Sequence, residues 1–153
     1  MTVTQVKDYN EYNNKIKTMT LSAGNVTRKV ASYSYDDIGR LISLKRSGNV
    51  GMVNYAYNIR NWLNETKSDR FSQNLWYETT GAYPCFNGNI SRLQWQSGKD
   101  HVLRGYDFAY DGLNRLEEST YAEGAGMSQN KNRYSENILS YSPNGSIERL
   151  QRY

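Results

Sequence analysis

The chain has 153 residues, 37% of them hydrophobic and 22% charged, with 19 Lys and Arg against 15 Asp and Glu, a formal charge of +4 and a mean hydropathy of -0.85. Interspersed charges with no clustered basic stripe argue against a nucleic-acid footprint; one Cys and one His exclude a disulfide framework and most zinc sites. No run approaches the roughly 20 apolar residues of a membrane span, and the length favours one domain, able to bury roughly 70% of the surface it exposes when unfolded.

Taken in chain order, residues 1–30 lack a recognisable repeat and read as an N-terminal extension that caps a sheet edge. Within them Asp8 to Lys17 reads as a strand or a short turn of helix, with Tyr9, Tyr12 and Ile16 on one side. From 31 to 153 a β domain is expected, because one short pattern recurs. It reads SYDDIGRL at Ser34 to Leu41, AYNIRNWL at Ala56 to Leu63, AYDGLNRL at Ala109 to Leu116 and SYSPNGSI at Ser140 to Ile147. The wide gap between Tyr57 and Tyr110 leaves room for a looser copy, YPCFNGNI at Tyr83 to Ile90. No segment shows a sustained helical period.

Each copy has the grammar of a β-hairpin. Tyr33 and Tyr35, Tyr55 and Tyr57, and Tyr106, Phe108 and Tyr110 are spaced by two and line one sheet face. Polar turns follow, with Asn87-Gly88 and Asn144-Gly145 as hairpin signals, and Leu41, Leu63, Leu93 with Trp95, and Leu116 lead out. The Gly-, Ser- and Asn-rich stretches at 47–51, 79–83 and 123–133 read as loops, the last as the most mobile. The fold class is therefore all-β, with consecutive antiparallel hairpins forming a curled, solenoid-like sheet.

Tyr35-Asp36-Asp37-Ile38-Gly39-Arg40-Leu41 resembles the YD repeat of the Rhs family, and the order of YNIRNWL, FSQNLWYE, FNGNI and YDFAYDGLNRL resembles Rhs-repeat proteins of Bacteroidetes over residues 30–150. The resemblance implies side-by-side hairpins. In large members such sheets spiral into a shell around a toxic cargo, and teneurins use a similar shell in adhesion. It also implies a secreted or cell-envelope location and protein partners: the remainder of a larger Rhs protein, or a second copy. Self-cleavage in longer relatives depends on Asp-Pro motifs; the prolines here are Pro84 and Pro143, after Tyr83 and Ser142, so that activity is not carried over.

The residues assigned to the repeat are Tyr35, Asp36, Gly39, Arg40, Leu41, Tyr57, Asn58, Trp62, Leu63, Asn87, Gly88, Tyr110, Asp111, Arg115, Leu116, Tyr141 and Gly145. Asp36, Asn58 and Asp111 sit where Asx side chains bond the backbone of a turn, which outweighs a catalytic role. Arg40 and Arg115 are expected to pair with an acid of their own or an adjacent hairpin, or to lie over a tyrosine ring. Glu117 and Glu118, adjacent on a strand, point to opposite faces and cannot flank one glycosidic bond. His101 and Cys85 carry no nucleophile signature, no cofactor or metal is expected, and the sequons at Asn25, Asn64, Asn89 and Asn144 are unsurprising in an Asn-rich chain.

The expected function is a structural or interaction module without catalysis. The main alternative is a carbohydrate-binding surface with Trp62, Trp76 and Trp95 as stacking platforms; an uncharacterised hydrolase ranks below it. Two open sheet edges predict association with another chain, unless residues 1–30 cap them.

Overall fold

Among the described residues twelve strands follow one another in a single antiparallel sheet, each hydrogen-bonded only to its neighbours in sequence. They are β1 Val3–Tyr9, β2 Ile16–Ala23, β3 Val26–Tyr35, β4 Leu41–Arg46, β5 Met52–Tyr57 and β6 Leu63–Lys67, then β7 Phe71–Trp76, β8 Arg92–Ser97, β9 Leu103–Tyr110, β10 Leu116–Glu123, β11 Glu136–Tyr141 and β12 Ile147–Arg152. The computed structural model describes residues 2–48, 51–78 and 83–153. Parts of the loops expected at 47–51 and 79–83 therefore lie outside the described residues. No helix occurs among the described residues, and the sheet does not close, since β1 and β12 are not neighbours.

Alternation along the strands gives the sheet two unlike faces. One registered row runs Tyr33, Leu44, Val53, and another runs Leu75, Leu93, Tyr106, Tyr121. The opposite face carries Ser34, Ser43, Asn54, Lys67, Ser72 and Gln96 in one continuous row. Among the described residues no second layer covers the apolar face, and the chain exposes 10431 Å², against about 7,900 Å² for a compact monomer of this mass.

Burial concentrates around β8, β9 and β10. Tyr121 is 2% exposed and packs edge-on against Tyr106 and Tyr134, with ring centroids 5.3 and 5.0 Å away, while Trp95 stacks on Tyr106 at 5.8 Å. The stretch 123–133, expected as the most mobile loop, folds back on the other face and buries Met127 to 6% exposure. Gly105 makes room for it: a Cβ there would lie 2.8 Å from the Met127 sulfur and 2.6 Å from the Leu93 carbonyl oxygen. Beside it, Arg92 grips Asp107 of the adjacent strand through two hydrogen bonds, 2.5 and 2.8 Å.

Residues 2–30, expected to lie outside the repeat, contribute β1, β2 and the start of β3 to the same sheet, with β1 as its edge strand. Asp8 to Lys17 is the end of β1, a turn, and the start of β2, with no helical turn. All seven residues of β1 and all six of β12 are exposed.

Candidate functional site: a ladder of turns

The repeat motif is a turn whose backbone bonds to itself. Asp36 N donates to Arg40 O and Gly39 N to Asp36 O; the same two bonds join Asn58 with Trp62 and Asn61, Asp111 with Arg115 and Asn114, and Ser142 with Ser146 and Gly145, all between 2.9 and 3.0 Å. One residue in each turn adopts the left-handed region: Gly39, Asn61, Asn114 and Gly145, at φ 85, 66, 62 and 84°. Gly and Asn tolerate that conformation, which explains their placement.

Asx chemistry locks the turn. Asp36 Oδ1 accepts from Ile38 N and Arg40 N, Asn58 Oδ1 from Arg60 N and Trp62 N, and Asp111 Oδ1 from Leu113 N and Arg115 N. The second carboxylate oxygen holds the arginine of the same turn, Asp36 to Arg40 Nε at 2.6 Å and Asp111 to Arg115 Nε at 2.7 Å. Desolvation pushes the Asp36 carboxyl up, but the hydrogen bonds and charge of Arg40 outweigh it and hold the group below the carboxylate range. The Arg115 amide, together with its guanidinium, holds Asp111 low in the same way.

Successive turns are tied by the tyrosines. Tyr35 OH donates to Ile16 O at 3.0 Å, Tyr57 to Leu41 O at 3.0 Å, Tyr77 to Leu63 O at 2.7 Å, Tyr110 to Ile90 O at 2.9 Å, and Tyr141 to Leu116 O. The residue just before the acceptor covers the next ring: Lys15 over Tyr35, Arg40 over Tyr57, Trp62 against Tyr77 and Arg115 over Tyr141. Polar side chains then bridge turn to turn, Arg40 Nη1 to Asn61 Oδ1 at 2.7 Å, Arg60 Nε to Glu78 at 2.7 Å and Asn87 Nδ2 to Asn114 Oδ1 at 2.6 Å. Arg40 and Arg115 thus both pair with their own acid and lie over the following ring.

The ladder corrects two readings of the sequence. The looser copy takes its tyrosine from Tyr77, not Tyr83: the Tyr77 hydroxyl makes the rung, whereas Tyr83 is 60% exposed in the loop. The N-terminal hairpin is itself a copy, with Asn10 N to Lys15 O at 2.8 Å, Asn14 in the left-handed region, and a turn one residue longer. Tyr77 was signalled by the period-two series Phe71, Gln73, Leu75; the first copy was signalled by Tyr9-Asn10 followed by Asn14-Lys15-Ile16.

The remaining repeat residues fall at corresponding places. Leu41, Leu63 and Leu116 oppose Tyr35, Tyr57 and Tyr110, and each pairing is followed by a register shift that leaves one residue of the return strand unopposed, Glu117 in the last case. Gly88, at φ 98°, lies under Trp62, where a Cβ would be 3.3 Å from the indole. The three tryptophans do not share one platform. Trp95 is on the apolar face, Trp76 opposes Arg92 on the polar face, and Trp62 is held between Tyr77 and Gly88. Among the described residues no three His, Cys, Asp or Glu side chains converge as a metal site.

No protein-family model matches the chain, and no curated protein matches it. Among solved structures, it is similar to the crystal structure of TcdB2-TccC3-Cdc42, with a TM-score of 0.48 and 15% identity over 98% of this chain and 9% of that one. It is also similar to a pore structure of the Photorhabdus luminescens Tc holotoxin carrying a TccC3 mutation, with a TM-score of 0.41 and 19% identity over 98% of this chain and 7% of that one. The chain thus spans less than a tenth of the length of either match.

Proposed function

We propose that the chain is a structural and interaction module built of YD-type repeats, a stretch of Rhs-like shell without catalysis of its own, secreted or held at the cell envelope. The observation that carries this reading is the tyrosine ladder. Each rung joins one hairpin only to the next, so the interactions that build the sheet also prescribe how it is extended. At both ends the prescription is open. Ile147 occupies the acceptor position after the last turn, and among the described residues no tyrosine hydroxyl reaches it. Tyr9 heads the first turn, and β1 and β12 each have one paired side. Exposed edges are templates for another strand.

Sedimentation velocity on the full chain tests the edge reading, using a second copy as the partner. The wild-type chain is expected to associate as concentration rises. Val6→Lys with Leu150→Lys, at exposed positions of the two edge strands, is expected to remain monomeric with an unchanged circular dichroism spectrum. A wild-type chain that is monomeric at every concentration sinks edge pairing.

A second reading, sugar binding, is supported by one place. Phe71, Gln73, Leu93, Trp95 and Tyr106 line an open groove of about 280 Å³ on the apolar face, with Trp95 and Tyr106 stacked at 18° and the Gln73 amide beside them. Glycan-array binding that disappears in Trp95→Ala with the fold intact would favour it over the scaffold reading.

A further inference from the structure

We propose that the hollow at the fourth rung is a binding site for a guanidinium group, supplied by an arginine side chain of a partner polypeptide. Four rungs show what belongs there. Lys15 Nζ lies 5.5 Å from the Tyr35 ring centroid, the Arg40 guanidinium 4.9 Å from Tyr57, the Trp62 ring 5.0 Å from Tyr77 and the Arg115 guanidinium 4.2 Å from Tyr141. At the remaining rung the Tyr110 hydroxyl bonds Ile90 O, so the covering position falls to Asn89. Its short amide does not supply a cover, and among the described residues neither a cation nor a ring is seated on Tyr110. In place of the cover is an open cavity of about 470 Å³, to which Tyr110, Asn89, Phe86, Asn87, Asp111 and Asn114 contribute.

The walls select a cation. Among the described residues that line it, Asp111, paired with Arg115 of its own turn, is the sole one that carries a charge at neutral pH, and none is Lys or Arg. The face of a tyrosine ring is the negative end of its quadrupole and attracts a cation, more strongly where water is excluded. Asn114 Oδ1 accepts one bond from Asn87 and has a second lone pair.

The second rung shows how a guanidinium uses such surroundings. Arg40 lies on Tyr57 and donates through Nη1 to Asn61 Oδ1 at 2.7 Å. Asn61 and Asn114 hold the same position of the turn, at φ 66 and 62°. A planar group with several donors fits a ring face beside an amide oxygen better than a compact ammonium does. The cavity is in the size range of small-molecule sites and wider than one side-chain head requires, which leaves room for flanking backbone. The inference needs only the geometry of the fourth rung and is independent of the shell reading.

The test is an NMR titration of the full chain with acetyl-Gly-Arg-Gly-amide, the same peptide carrying citrulline, and free arginine. The arginine peptide is expected to shift resonances of Asn89, Tyr110 and Asn114. The uncharged citrulline peptide is expected to bind about tenfold more weakly, the loss of one desolvated cation–ring contact. Asn89→Arg provides the cover from within the chain and is expected to abolish peptide binding; Asn114→Asp adds a negative charge and is expected to strengthen it severalfold. Equal binding of the arginine and citrulline peptides overturns the guanidinium site, as does unchanged affinity in both variants. Free arginine binding as tightly as the peptide overturns the polypeptide source.

Discussion

The hydroxyl of Tyr57 donates to the backbone carbonyl of Leu41 at 3.0 Å, while the guanidinium of Arg40, the residue before that carbonyl, lies 4.9 Å from the Tyr57 ring. Two adjacent residues of one turn therefore hold the two ends of one side chain of the next. A phenol suits this position because its ring attracts a cation and its tip donates a hydrogen bond. Phe would keep the first contact, and a hydroxyl on a short side chain would reach neither. The chain can therefore be rich in tyrosine and polar overall and still build a continuous sheet without a second layer.

Tyr57→Phe is accordingly expected to lower stability by about 1 kcal/mol, the net worth of one hydrogen bond together with the carbonyl it leaves unmet. Tyr9→Phe, at the first turn with no preceding rung, is expected to change stability by less than about 0.5 kcal/mol, as for an ordinary surface substitution. Urea unfolding of the three chains side by side reads the difference. Equal losses would show that the hydroxyls act locally and not as rungs.

The turn acids give the chain a defined response to acid. Asp36 and Asp111 are held below their ordinary 3.8, Glu123 is held below 4.5 by the Tyr121 hydroxyl and the Asn130 amide, and the Arg104 guanidinium and Val102 amide hold Asp100 down to about 2. A carboxyl depressed by folding contributes stability above its unfolded value and loses it as pH falls through its folded one. Unfolding midpoints should hold steady above pH 4.5 and fall progressively toward about pH 2. Asp36→Asn, which copies the natural Asn58 turn, should show a shallower fall. A variant as acid-sensitive as the parent would remove Asp36 from that response.

Hairpins were legible in the sequence because turn chemistry and period-two tyrosines are local signals; Tyr35, Tyr57, Tyr110 and Tyr141 all head turns of one geometry. What escaped was set by contacts between hairpins. Tyr77 and Ile90 are separated by a loop that contains a nearer tyrosine, Tyr83, and only the hydroxyl of Tyr77 reaching Leu63 distinguishes them. The N-terminal copy was hidden by one extra residue in its turn, although Asn14 takes the left-handed place that Asn61 and Asn114 hold in theirs. The partners of Trp62 were unreadable because Tyr77 and Gly88 meet it from a different copy.

Gly105 tests the packed region under β8, β9 and β10. Its φ is not in the left-handed region, so a substitution acts through space alone. A Cβ would approach the Leu93 carbonyl at 2.6 Å, Gln94 Cγ at 2.8 Å and the Met127 sulfur at 2.8 Å. Gly105→Ala is expected to cost about 1–3 kcal/mol, the range for overpacking a tight core. Adding Met127→Ala should not restore stability, because the nearest obstacle is backbone. A double variant as stable as Met127→Ala alone would show that the sheet shifts freely to admit the methyl group.

The third rung provides the sharpest test of the repeat register. If the ladder defines the copies, Tyr77→Phe removes a donor from Leu63 O and is expected to cost about 1 kcal/mol, whereas Tyr83→Phe, at an exposed loop position, should be close to neutral. The two changes remove the same atom from tyrosines six positions apart, so side-chain volume and composition cancel in the comparison. Amide exchange provides a second readout. Cys85 N and Ser91 N donate to Tyr77 O and Trp76 O, anchoring both sides of the loop at the end of β7. Faster exchange at those two amides in Tyr77→Phe, with no change in Tyr83→Phe, is the expected pattern. The reverse would return the looser copy to Tyr83 and leave Tyr77 as an ordinary residue at the end of β7.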